Sequence, residues 1–147
     1  MHCIDSRSKL QWLAALALLG ACSTTMPPAT GAKLQAPNPV RSVNDLRVQA
    51  AQRIVAANPG GTYSGAVPDL LLAIPVLEVE LNADGSIRRI DVLRYPTQAK
   101  DTTQLAIDAV RRAAPFGDVS RLPKPWRFAE TFLFNDERKF KLRTLDN

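Results

Sequence analysis

Residues 76–95 constrain the fold more than any other stretch of this chain. Val76 to Leu81 alternates, with Leu77, Val79 and Leu81 on one face and Glu78 and Glu80 on the other. A period of two belongs to a strand with one side in a core and the other in water. Ala83-Asp84-Gly85-Ser86 is a turn of the hairpin kind, in which glycine supplies a positive φ. Ile87 to Tyr95 returns as a second strand, and the order Ile87, Ile90, Val92 breaks strict alternation. That break predicts a bulge near Arg88 and Arg89. The facing Glu and Arg side chains read as a solvated face with cross-strand pairs worth roughly 0.2–1 kcal/mol each, not as a catalytic pair of carboxylates.

Two helices flank this hairpin. Ser42 opens the first as its N-cap, with Asp45 three residues on in a weak capping box. Val43, Leu46, Ala50, Ile54 and Ala57 recur at helical spacing, while Arg47, Gln49, Gln52 and Arg53 mostly fall elsewhere. Asn58-Pro59-Gly60-Gly61 ends the helix. The second helix begins at Asp101, with Gln104 completing a capping-box pattern and Leu105, Ala106, Ala109, Val110 and Ala113 as its buried stripe. Arg111 and Arg112 sit near its C-terminal end, where cations suit the helix dipole, and Pro115-Phe116-Gly117 stops it.

Trp126 to Phe134 makes a further strand whose Phe128, Phe132 and Phe134 share a face with Glu130. Last comes Lys139-Phe140-Lys141-Leu142-Arg143, alternating basic with apolar. Exposed lysines protect a sheet edge, and the same edge can accept a partner's strand; Lys139, Phe140, Lys141, Leu142 and Arg143 are therefore the candidate partner-strand edge. The segment Leu70 to Ile74 lies between two prolines and reads as a short strand or helical turn under the domain, or as an exposed apolar patch. The expected fold is α+β: a small antiparallel sheet of about three strands with two helices on one face, over residues 42–147.

The N-terminal region has a different character. Arg7 and Lys9 precede an apolar run from Trp12 to Ala21, which is too short to span a membrane. Leu19-Gly20-Ala21-Cys22 closes it and resembles the lipobox of a bacterial lipoprotein. The resemblance implies removal of residues 1–21 and lipidation of Cys22, each buried lipid methylene adding about 0.8 kcal/mol. Ser23 after the cysteine implies sorting to the outer membrane, with the domain facing the periplasm. Residues 22–41 are rich in Pro, Thr, Ala and Gly and read as a flexible linker. About 18 such residues span at most ~60 Å when fully extended.

Composition narrows the chemistry. Cys3 and His2 lie in the expected leader and Cys22 is consumed by acylation, so no disulfide, thiol nucleophile, histidine base or usual zinc site remains. Paired carboxylates or a Ser-Lys couple remain formally available, but no motif with a mechanism marks them. The expectation is a protein without catalytic residues, cofactor or metal. Residues 23–62 carry Lys33, Arg41, Arg47 and Arg53 against Asp45, whereas from Tyr63 onward 13 basic residues nearly balance 12 acidic ones. A nucleic-acid-binding domain concentrates its positive charge on the folded part, so no nucleic-acid partner is expected. The basic excess instead suits either a solvated linker or a membrane bearing anionic head groups.

Three pieces carry a second resemblance: residues 79–87, Val-Glu-Leu-Asn-Ala-Asp-Gly-Ser-Ile; residues 109–116, Ala-Val-Arg-Arg-Ala-Ala-Pro-Phe; and residues 127–134, Arg-Phe-Ala-Glu-Thr-Phe-Leu-Phe. In that order they resemble the C-terminal domain of the TonB/TolA superfamily, across about Val76 to Phe134. The resemblance implies binding of other envelope proteins, in TonB by pairing of a partner strand with the sheet edge. Tyr63-Ser64 and Thr102-Thr103 depart from the family pattern. So do the lipid anchor and short linker, which do not suit energy transduction from the inner membrane. Three functional readings follow: a lipid-anchored module that recruits an envelope protein; a carrier of an apolar ligand, with Leu70 to Ile74 and the Phe128, Phe132 and Phe134 face lining its pocket; and an enzyme built on two converging carboxylates. The first is preferred, and its oligomeric state is open.

Overall fold

The computed structural model describes residues 34–146; the basic and apolar start, Cys22 and most of the expected linker lie outside the described residues. Those residues form an α+β fold of two helices and a four-stranded antiparallel sheet. Helix α1 (Val43–Ala57) is followed by β1 (Val76–Leu81), β2 (Ile87–Arg94), α2 (Asp101–Ala113), β3 (Arg127–Phe134), β4 (Phe140–Leu142) and a 3-10 turn at Arg143–Leu145. The sheet order is β2-β1-β3-β4, one strand more than the sequence reading gave.

Register explains the core. Leu77 pairs with Val92, Val79 with both Ile90 and Phe128, and Phe134 with Phe140, so the apolar positions of all four strands fall on one face. Both helices pack on the sheet, α1 against β3 and β4 and α2 against β2, and against each other. Phe132, Phe134 and Phe140 pack ring against ring there at centroid distances of 5.1–6.3 Å, within the range in which aromatic pairs add to plain burial. The opposite face carries an ion-pair ladder, Glu78 with Arg127 at 3.3 Å and Glu80 with Arg88 and Arg89 at 3.2 Å each. Such exposed pairs stabilise little, so the apolar layer holds the fold.

The bulge lies where alternation breaks: Glu80 faces Arg89 while Leu81 faces Ile87. A second irregularity, between Val76 opposite Arg94 and Leu77 opposite Val92, left no equivalent mark in the sequence. Gly85 does more than turn the hairpin. Its φ is +82°, and a Cβ there would stand 2.2 Å from the carbonyl oxygen of Gly117. The hairpin tip docks on the loop after α2 through Phe116 N–H to Gly85 O at 2.9 Å and Val119 N–H to Ala83 O at 3.0 Å.

Several helix expectations need correction. Ser42 caps α1 by accepting from Asp45 N–H at 3.0 Å, but Val43 is exposed and Ala51 takes its place in the core. Arg53, placed on the solvent side by periodicity, is buried: its Nε donates to Ala113 O at 3.1 Å and its Nη1 to Gln35 O at 2.6 Å. Burial lowers its pKa, yet the cation meets a carbonyl at the C-terminal end of α2, where the dipole favours it. Asn58 is likewise a clamp as well as a stop, donating to Ile54 O and Ala109 O and accepting from Arg112. Helix α2 starts at Asp101 without the expected capping box. Gln104 donates to Asp108, and Asp101 accepts from Arg138 instead. Leu105 is exposed, and Thr102 and Thr103 are buried in its stead.

Residues 34–41, within the stretch read as linker, are fastened to the domain. Gln49 donates to Asn38 O, Val40 N–H donates to Asp118 O, and Val40 is buried. No helix among the described residues is long and apolar enough to cross a membrane.

Candidate functional site

The five residues expected to form an open edge do lie at an edge of the sheet, but that edge is partly covered. In an antiparallel ladder the backbone groups of successive residues point alternately to either side. Leu133 opposite Lys141 fills one side of β4, so Phe140 and Leu142 turn their backbone outward. At Phe140 that outward side is already occupied: its N–H donates to Gly61 O at 2.9 Å, and its carbonyl accepts from Tyr63 N–H at 3.3 Å. Residues 61–63 thus lie along β4 as a parallel bridge. Four of the five side chains are also committed, while that of Arg143 is exposed. Phe140 and Leu142 are buried in the core, Lys139 pairs with Glu137 at 3.1 Å, Lys141 donates to Gly65 O and lies 3.5 Å from Asp146, and Arg143 opens the 3-10 turn. The expected edge is closed at Phe140, where a segment far away in sequence folds over it, and no described residue bonds the outward backbone of Leu142.

The other edge of the sheet is open. Leu81 N–H donates to Trp126 O and Asn82 N–H to Ser86 O, which fixes the alternation along β1. Arg89, Asp91 and Arg94 then bond back to β1, and Ile90 and Val92 turn their N–H and C=O groups outward. No described residue meets them. Leu93 and Tyr95, at the end of this strand, are 56% and 69% exposed. Periodicity identified β2 as a strand. It carried no information on which strand would be terminal, because strand order depends on pairings between distant segments.

The segment Leu70 to Ile74 divides between its two expected roles. Ala73 is buried and bridges Phe134, and Leu72 N–H donates to Phe134 O at 2.9 Å, extending β1 alongside β3. Leu70, by contrast, is 86% exposed. Phe128, Phe132 and Phe134, expected to line a pocket with this segment, are buried in the main core.

Two cavities lie near β4. One, of about 450 Å³, is lined by residues that include Val55, Pro59, Tyr63, Leu142 and Leu145. The Tyr63 hydroxyl is buried with no hydrogen-bond partner among the described residues. The other, of about 640 Å³, lies between α1, β3 and the 3-10 turn, and Arg47, Glu130, Arg143, Thr144 and Asp146 help line it. Glu130 is only 3% exposed. Its Oε1 accepts from Thr131 N–H at 3.0 Å and Thr144 N–H at 3.2 Å, tying β3 to the turn after β4. Burial pushes its carboxyl above the usual range, against the opposing pull of the Thr144 side chain, of those N–H groups and of Arg47.

Among the described residues no group of three or more His, Cys, Asp or Glu side chains is placed to hold a metal ion. No protein-family model, curated protein or solved structure matches this chain.

Proposed function

We propose that this chain is a lipid-anchored, non-enzymatic binding module that recruits a protein of the bacterial envelope by accepting an extended partner segment along the outer edge of β2. The unpaired backbone of Ile90 and Val92 carries this reading, because a free row of donors and acceptors is what strand addition uses. Leu93 and Tyr95 add exposed apolar area beside that row, and interfaces gain most from such anchors. The resemblance of residues 76–134 to the TonB/TolA C-terminal domain supports the same mode. The lipobox-like sequence ending at Cys22 supports an outer-membrane anchor on the periplasmic side, without energy transduction from the inner membrane.

A photo-crosslinking amino acid at Leu93 or Arg88 in intact cells is expected to capture one defined envelope protein, whereas the same probe at Lys139 or Arg143 captures none. Adducts from the β2 positions no stronger than those from Arg127 on the outer face would overturn the proposal. A second reading, a carrier of an apolar ligand, is favoured by the cavity of about 450 Å³ beside Tyr63, a volume within the range of small-molecule pockets. Lipid retained in native mass spectra would speak for it.

A further inference from the structure

From the cavity between α1, β3 and the 3-10 turn, we propose a binding site for a small zwitterion, a molecule carrying one primary ammonium and one oxyanion a few atoms apart. This site is separate from the β2 edge and does not depend on it.

The argument starts from Glu130. A carboxylate is costly to hold on the apolar face of a strand, and burial of a charge is tolerated only where partners compensate it. Here Oε1 takes both backbone N–H groups, with the Thr144 side chain and the charge of Arg47 also acting on the carboxylate, and neither backbone bond uses Oε2. The second oxygen is thus left over from the backbone bonds, in a side chain that lines a cavity of about 640 Å³. Arg47 and Arg143 line the same cavity, and no ion pair within 4.0 Å joins either guanidinium to a described carboxylate. Charges of both signs around one space, the exposed guanidiniums of Arg47 and Arg143 and the buried carboxylate of Glu130, match a ligand that brings both signs with it. Its ammonium meets Oε2 of Glu130, and its oxyanion meets the planar donor forks of Arg47 and Arg143. Asn44, Thr131 and Thr144 complete a polar lining. A purely apolar ligand would leave all of these groups unpaired, at a cost.

The oxyanion can be a carboxylate, as in an amino acid, or a phosphate, as in an ethanolamine head group. β-Alanine and O-phosphoethanolamine represent these two sources, with propionate, inorganic phosphate and ethylammonium as single-charge controls. Each is titrated into the full-length, isotope-labelled chain while amide resonances are followed by NMR. At least one zwitterion is expected to move the Thr131 and Thr144 amides saturably, and each control to bind at least about tenfold more weakly. Response to β-alanine alone assigns a carboxylate ligand, and response to O-phosphoethanolamine alone assigns a phosphate head group. Glu130→Gln keeps an oxygen for both N–H groups and removes the charge. It is expected to leave the rest of the spectrum in place and weaken binding at least about tenfold. Arg143→Ala, on an exposed side chain, provides the same test should the Gln variant not fold. Absence of saturable shifts, equal binding of a single-charge control, or unchanged binding by whichever of these variants folds overturns the proposal.

Discussion

The two edges of the sheet have been treated in opposite ways. β4 is three residues long, and the backbone of Phe140 is met on its outer side by Gly61 and Tyr63. β2 is eight residues long and is left open, with a bulge towards each end and Arg88, Arg89 and Arg94 along it. Bulges and charges are devices that discourage indiscriminate pairing. A covered edge contributes only to the fold. An edge left uncovered but made irregular remains available to a segment shaped to match it, and this contrast underlies the functional reading.

The largest expected effect lies on the covered side. Phe140 is 3% exposed and packs on both Phe132 and Phe134. Phe140→Ala should cost about 3–5 kcal/mol in urea unfolding; a loss near zero would mean that β4 is not part of the core. Tyr63→Pro comes next. It deletes the N–H that meets the Phe140 carbonyl and should cost about 1–2 kcal/mol, freeing that carbonyl while Phe140 N–H keeps its bond to Gly61 O. Crosslinks from Lys139 should then appear where the unsubstituted chain gives none, and their absence would show that cover is not what separates the two edges. Leu93→Asp should be smallest in stability, within about 0.5 kcal/mol, because the side chain is mostly exposed. It should nevertheless abolish capture from the neighbouring Arg88 probe. A large stability loss with capture intact would make Leu93 a packing residue and weaken the case for β2.

Much of the frame was legible because its signals are local. Strict alternation in residues 76–81, the Asp-Gly turn, the Ser42 cap and the periodicity before Pro115 each act over a few residues, and they placed both helices and three strands to within a residue or two. The placement of Glu130 on the face of Phe128, Phe132 and Phe134 was also readable, but the cavity it lines was not. What could not be read depended on pairings across the chain. Arg53 looks like a surface residue of α1 until the end of α2 and Gln35 supply its acceptors. Asp101 and Gln104 look like a capping box until Arg138 arrives from the far side of β3 to take the carboxylate. A basic-apolar alternation such as residues 139–143 is the pattern of an edge, and nothing in it announces that residues 61–63 will lie alongside.

The sequence by itself determined an α+β domain with an alternating hairpin between two helices, and a single histidine and two cysteines all confined to residues 2–22. Periodicity and composition suffice there, because a strand or helix must show its buried face in its own residues. The tertiary structure alone decided the strand order β2-β1-β3-β4, and with it which edge is covered, which is open, and where Oε2 of Glu130 is left. The physical reason is that backbone hydrogen bonds carry no side-chain signature. Which distant segment satisfies them is settled only when the whole chain is packed.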